Sequence, residues 1–146
     1  MNKLELEKKI RIVLSEVSSQ KGYVSPVDVL IHLGYLSQND YENWRKGKID
    51  CLERVCYVNL GKLSTINRLI KKISEKMKLE PSWTAYYKYG KGPKVRLQFS
   101  KSGDRNIEKA YSTHYVNKFR INQLKELKIK PTENESENKN HMQVIE

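Results

Sequence analysis

Residues 59–101 read NLGKLSTINRLIKKISEKMKLEPSWTAYYKYGKGPKVRLQFSK, which predicts a long basic helix followed by a β-hairpin. This stretch contains eleven Lys and Arg residues against two Glu residues, so it carries +9 of the formal net charge of +11. The two flanking segments contribute only +1 each. The positive charge of the chain is therefore concentrated in one segment, which the rest of the sequence surrounds.

The first half of this stretch has the pattern of an amphipathic helix. Apolar residues recur every three or four positions between Leu63 and Met77, the period at which side chains share one face of an α-helix. Cations occupy positions on the other side of that helix: Arg68, Lys71, Lys72 and Lys76. If the apolar stripe is buried, the helix must present a cationic face to solvent.

After Pro81 the apolar period changes to two, which is typical of strands, and residues 90–93 supply a Gly-rich turn. One set of alternating residues is expected to face the core: Trp83, Tyr87, Tyr89, Val95, Leu97 and Phe99. The opposite set is expected to face solvent: Tyr86, Lys88, Lys94 and Arg96. Cations interleaved with an exposed aromatic ring suit a phosphate backbone with a base lying across it.

The residues before position 59 indicate a compact helical unit. A first amphipathic helix is predicted over Lys3–Ser18, and Ser25 and Ser37 have the character of N-caps for two shorter helices. Trp44 is expected to anchor the third helix to the core. Arg45 and Lys48, near the end of that helix, could clamp phosphates.

Together these elements predict an α+β fold, mainly a helical bundle with one β-hairpin at about residues 83–99. Their order is winged-helix-like, with residues 59–77 lying in a major groove and the turn at 90–93 touching the backbone beside it. We expect one compact domain over residues 1–116 and a weaker C-terminal helix over 117–130. Residues 131–146 are polar and without period, so they predict a disordered tail.

Other classes of protein find little support in the sequence. No apolar run approaches the ~20 residues that span a bilayer, and the charged N-terminus does not resemble a signal peptide. Cys51 and Cys56 lack the spacing of a zinc site and are expected to be reduced. We therefore expect a cytoplasmic protein with no metal or other cofactor and no membrane partner.

The residues most typical of an enzyme lie between positions 104 and 115. Glu108, Ser112 and His114 fall in a predicted helix over Arg105–Tyr115 that Asp104 is expected to cap, but no second histidine or nucleophile motif accompanies them. A metal-independent nuclease could in principle use His114 with a tyrosine and Arg105. The more economical interpretation places His114 at the tip of an amphipathic helix or in contact with a partner, and gives the protein no catalytic residue.

Three runs are similar to stretches of small uncharacterised bacterial proteins: residues 41–47 (YENWRKG), 89–93 (YGKGP) and 99–104 (FSKSGD). This resemblance covers about residues 25–116. It implies no activity and assigns no functional residues to this chain.

The clustered charge and a pI near 9.6 favour a polyanionic partner. The first hypothesis is a small nucleic-acid-binding domain, of a regulatory kind, that uses the basic helix and the hairpin. DNA and RNA are not distinguished, because no RNA-recognition signature is present. The second hypothesis is a protein-interaction module that docks an acidic partner. A homodimer is compatible with either, although no heptad seam demands one.

Overall fold

The computed structural model describes residues 2–129 and contains, within them, six α-helices and three short β-strands. In chain order the elements are α1 (Lys3–Lys21), β1 (Tyr23–Val24), α2 (Pro26–His32), α3 (Gln38–Arg45), a 3-10 helix (Leu52–Val55), α4 (Leu60–Lys76), β2 (Glu80–Trp83), α5 (Arg105–Ser112), β3 (Thr113–Val116) and α6 (Lys118–Ile129). The expected fold class, α+β and mainly helical, is confirmed. The expected tail over 131–146 lies outside the described residues.

Local capping explains where the helices begin. The Ser25 hydroxyl accepts from the Asp28 amide and the Asp28 carboxylate accepts from the Ser25 amide, which makes a complete capping box for α2. The Ser37 hydroxyl accepts from the Asp40 amide at the start of α3, and the Asn59 side chain accepts from the amide of Lys62 at the start of α4. The two helix starts predicted from Ser25 and Ser37 are therefore confirmed.

The three strands form an antiparallel sheet in the order β1-β3-β2. Tyr23 pairs with Val116 on one side of β3, and Trp83 pairs with Thr113 on the other. The sequence predicted a helix through Tyr115, but α5 ends at Ser112 and the next four residues form the central strand. The helical expectation was wrong there because pairing with both β1 and β2 satisfies the backbone of this segment.

The prediction of two regular paired strands over residues 83–99 was also wrong. The strand that begins at Glu80 ends at Trp83 and pairs with β3 instead of with residues 95–99. The residues that follow keep one antiparallel bridge, Tyr87 to Arg96, with the Leu97 amide donating to the Tyr86 carbonyl at 2.8 Å. We call residues 84–98 the hairpin loop, since its two arms remain side by side without forming strands.

The core is one continuous cluster with an aliphatic part and an aromatic part. In the first, the apolar stripe of α4 packs against α1, where Ile10 and Leu14 are fully buried. The second is aromatic and surrounds Trp44, whose ring centroid lies 5.0 Å from that of Phe99 and 5.7 Å from that of Tyr86. The Trp44 indole also donates to the carbonyl of Gln98 at 2.9 Å. Trp44 thus anchors α3 to the core as predicted and holds the end of the hairpin loop.

Candidate nucleic-acid interface

The cationic face predicted for α4 is present. All four predicted cations of this helix are exposed: Arg68, Lys71, Lys72 and Lys76. Among residues 2–129, ion pairs join Lys21 to Asp28, Arg54 to Asp50 and Lys118 to Glu80, and none of them involves α4. The helix therefore offers its positive charge to solvent rather than to the protein's own carboxylates.

An open trough of about 1210 Å³ runs along one side of this face. One wall is a stripe of α4 that extends from Leu60 in its first turn to Glu75 in its last, and the other wall is α5. Residues of β2 and β3, among them Pro81 and Tyr115, line its floor. Of the predicted site residues, Arg68 and Lys71 line the trough, whereas Lys72 and Lys76 lie elsewhere on the exposed surface of α4.

The charged residues that line the trough are mainly cations. Arg68 and Lys71 contribute from α4, and Lys101 and Lys109 contribute from the opposite side, against the two carboxylates Glu53 and Glu75. The carboxylate of Glu53 is engaged within the protein: it accepts from the Lys101 amide at 2.8 Å and from the Tyr111 hydroxyl at 2.7 Å. Burial, reinforced by Glu53, raises the pKa of Tyr111, so this phenol keeps its proton.

The second wall of the trough is fixed by the carboxylate of Glu108. It accepts from the amide of Phe99 at 2.9 Å and from both the amide and the hydroxyl of Ser100 at 2.6 Å. Asp104 caps α5 by accepting from the amides of Asn106 and Ile107. The two carboxylates weighed as catalytic groups are therefore occupied in positioning α5 and the loop before it.

His114 lies in the core, where it is only 5% exposed. Its ring stacks on Tyr23 with centroids 5.3 Å apart, and its Nε2 lies 3.0 Å from the Tyr86 hydroxyl. Burial lowers the pKa of His114 from 6.5 to about 4, so the imidazole is neutral near pH 7. A phosphodiester could not approach this ring without unfolding the sheet, so the placement does not suit the nuclease hypothesis.

The hairpin loop presents the opposite aromatic set from the one predicted. Trp83, Tyr87 and Tyr89, expected in the core, are 51%, 37% and 44% exposed, whereas Tyr86, expected in solvent, is 6% exposed. Tyr86 is buried because its ring fits against Trp44 and packs edge-on to Phe99 at 5.2 Å. Tyr86 is therefore corrected from a binding residue to a core residue.

Two of the exposed rings are covered by cations of the same loop. The Arg96 guanidinium lies 5.0 Å from the ring centroid of Trp83, and the Lys94 ammonium lies 5.2 Å from that of Tyr87. A second cavity, of about 630 Å³, adjoins this region and is lined by Trp83, Arg96 and Lys109 among others. Because Lys109 also lines the trough, the cationic surface continues from α4 to the exposed indole.

Arg45 is half-buried and its guanidinium is engaged by aromatic rings and a carbonyl of the hairpin loop. Its guanidinium lies 4.4 Å from the ring centroid of Tyr89 and 5.1 Å from that of Tyr86, and its Nε donates to the carbonyl of Tyr87. This predicted phosphate clamp is therefore better described as the residue that fastens the hairpin loop to α3. Lys48 and Lys88 are exposed on the adjoining surface, as the prediction requires.

The sequence-based site lacked the residues contributed by α5 and its N-terminal loop. These are Lys101, Arg105, Asn106 and Lys109, which line one or both cavities. The signal that could have identified them is the spacing of Arg105 and Lys109, which repeats the four-residue interval of the cations on α4. Their proximity to α4 depends on the pairing of β2 with β3, which a linear pattern does not reveal.

The cysteines are free thiols, with Cys51 buried and Cys56 half-buried. Burial raises the pKa of Cys56 to about 12, with Glu53 contributing in the same direction. Within the described residues we find no cluster of His, Cys, Asp and Glu suited to a metal ion. No helix in that part of the chain is both long and apolar enough to cross a membrane.

Comparison with protein-family models, with curated proteins and with solved structures found no match for this chain.

Proposed function

We propose that this protein binds nucleic acid through the cationic face of α4 and the hairpin loop. The observation that carries the proposal is the exposed indole of Trp83, stacked under Arg96 and adjoining a trough with cations on both walls. Because about half of the Trp83 side chain is exposed, its ring is accessible to a partner.

The chemistry of nucleic acid matches this surface in two ways. Phosphates are neutralised by Lys and Arg, and release of their counterions favours binding at low salt. Bases stack on exposed aromatic rings, each contributing about 1–3 kcal/mol whatever the sequence. Alternation of rings and cations on the hairpin loop suits both contacts at once, with Lys94 and Arg96 beside Tyr87 and Trp83.

The winged-helix-like order remains part of this proposal. It is supported by the chain order, in which α4 is followed by β2 and then by the hairpin loop. In this arrangement α4 and the loop act together as the binding elements. A regulatory role and a cytoplasmic location complete the proposal.

The proposal is tested by fluorescence anisotropy of labelled nucleic acids against the purified protein at low and at physiological salt. We expect binding whose logarithmic affinity falls linearly with the logarithm of salt concentration. Replacement of Lys71, Lys72 and Arg96 with Glu should abolish it while leaving the circular dichroism spectrum unchanged, since all three side chains are exposed.

A matched control removes the same charge elsewhere. Lys3, Lys8 and Lys9 are exposed on α1, and their replacement with Glu changes the net charge by the same amount. We expect this variant to keep most of its affinity. Equal loss of affinity in both triple variants would show that net charge alone, and not the proposed surface, governs binding.

A second candidate is an acidic protein partner. It is favoured by two apolar side chains that border the trough, Leu60 and Ile107, which are 50% and 41% exposed. An acidic amphipathic segment could cover these residues while pairing with the cations around them. Binding of an acidic protein that nucleic acid does not displace, together with no binding of any nucleic acid, would favour this candidate.

A further inference from the structure

We propose that the trough between α4 and α5 receives a single strand of nucleic acid, so that the protein prefers single-stranded to duplex ligands. This inference rests on the proposed function and deepens it by naming the class of ligand. It also revises the expectation that α4 lies in a major groove.

The first argument is the presence of α5 opposite α4. A major groove about 12 Å wide admits one helix, whose diameter with side chains is ~10–12 Å. The stripe of α4 that lines the trough extends over the whole helix, from Leu60 to Glu75, and α5 forms the other wall of the same space. Insertion of α4 into a duplex would therefore bring α5 and the loop before it against the phosphate backbone.

The second argument is the size of the trough. Its volume of about 1210 Å³ exceeds the ~300–1,000 Å³ of most small-molecule sites. It also extends along the whole of α4, because residues from both the first and the last turn of that helix line it. A space that is both long and open suits a polymer that passes through it better than a small ligand that is enclosed.

The third argument is the chemistry of the lining. Arg68 and Lys71 face Lys101 and Lys109 across the trough, so cations are available to phosphates from both sides. Between the cations lie apolar and aromatic surfaces and two amide side chains, those of Asn67 and Asn106. Amides offer both a donor and an acceptor to the Watson–Crick edge of an unpaired base, an edge that base pairing hides in a duplex.

The fourth argument is continuity with the exposed indole. Lys109 borders both the trough and the smaller cavity that contains Trp83 and Arg96. A strand lying in the trough can therefore continue past Lys109 and stack a base on Trp83. Single-strand binders combine a cationic groove with aromatic stacking in this way.

The test fills the trough without changing its charge. Ser64 is exposed on α4 and lines the trough, so Ser64→Trp places an indole in the path of the strand. Ser15, exposed on α1, provides the matched control Ser15→Trp. Anisotropy is measured with an oligothymidylate of about 16 nucleotides, a single-stranded RNA of mixed sequence and a blunt DNA duplex.

We expect the wild-type protein to bind one or both single strands at least about tenfold more tightly than the duplex. Ser64→Trp should lose about tenfold or more of that affinity, whereas Ser15→Trp should retain it. The affinities of the two single-stranded probes are then compared to show whether the protein distinguishes DNA from RNA. Circular dichroism establishes that both variants are folded.

Two results would overturn the inference, and they differ in what they leave standing. Duplex binding equal to or tighter than single-strand binding, with Ser64→Trp unaffected, would refute the role of the trough but preserve nucleic acid as the partner. No binding of any probe by the wild-type protein at low salt would refute the proposed function, and this inference with it.

Discussion

Replacement of the buried His114 by Gln should reduce the amount by which the free energy of unfolding decreases at acid pH. His114 titrates with a pKa of about 4 in the folded protein against 6.5 for an unperturbed histidine, mainly because it is buried. The charge of Asp28 raises the pKa of His114 and the charge of Lys21 lowers it. These two residues form an ion pair, with Nζ 3.0 Å from Oδ2. The unfolded chain therefore binds a proton that the folded protein rejects.

The sign and size of the effect follow from this difference. Above pH 6.5 the imidazole is neutral in both the folded and the unfolded state, so it does not make the free energy of unfolding depend on pH. As the pH falls from 6.5 to about 4 the unfolded state gains a proton first, and the free energy of unfolding decreases by a total of about 3 kcal/mol. Below pH 4 both states are protonated and this contribution becomes constant.

The assay is urea unfolding followed by circular dichroism at pH 7 and at pH 4, for the wild-type protein and for His114→Gln. Glutamine does not titrate and can still accept from the Tyr86 hydroxyl. The wild type should lose about 3 kcal/mol more than the variant between the two pH values. Equal losses, or an imidazole pKa near 6.5 in an NMR titration of the folded protein, would refute the burial argument.

Three further predictions concern stability and reactivity. Trp44→Phe should reduce the free energy of unfolding by about 2 kcal/mol, because it shrinks a fully buried side chain and removes the hydrogen bond from the indole to the carbonyl of Gln98, which keeps the Leu52 amide as a donor; urea unfolding measures this. Glu108→Gln should cost about 1–3 kcal/mol in the same assay, since its carboxylate accepts two bonds from Ser100, and an unchanged midpoint would contradict the role given to it. Cys56, whose pKa is raised to about 12, should react slowly with iodoacetamide at pH 8 until the protein is unfolded by urea. Mass spectrometry measures the alkylated peptide, and rapid alkylation of Cys56 in the folded protein would contradict this prediction.

The helical part of the fold could be predicted because its signals are local. The capping box of Ser25 and Asp28 needs only neighbouring residues, and so does the side-chain cap that Asn59 provides for α4. The apolar period of α4 likewise predicts which face is buried, since Ile66 and Ile70 are covered as expected. The basic face follows from the same period.

The sheet and the aromatic surface could not be predicted in this way. β3 is only four residues long and pairs with residues about thirty positions earlier, so its stability comes from partners that are distant in sequence. The alternation after Pro81 predicted two strands, but the regular strand ends at Trp83. In the first arm of the hairpin loop the buried and exposed residues are the reverse of those predicted. Tyr86 packs against Trp44 in the core, whereas Tyr87 is exposed.

The trough was missed for the same reason. The cations of α4 were recognised from sequence, but Lys101 and Lys109 lie beyond the hairpin loop and reach the same space only through the folded path of the chain. The predicted site therefore contained cations of α4 and of the hairpin loop but not those of α5 and the loop before it, and its ligand was expected to accept α4 in a major groove.

The most direct test of the proposed function is the fluorescence of Trp83 during a titration with single-stranded nucleic acid. The protein has two tryptophans, Trp83 in solvent and Trp44 fully buried, so the difference between wild type and Trp83→Phe isolates the exposed indole. We predict that this emission is quenched as the strand binds, with the affinity measured by anisotropy, and that Trp83→Phe shows little change in emission. Saturating binding that leaves the emission of Trp83 unaltered would contradict the central claim that bases stack on this surface.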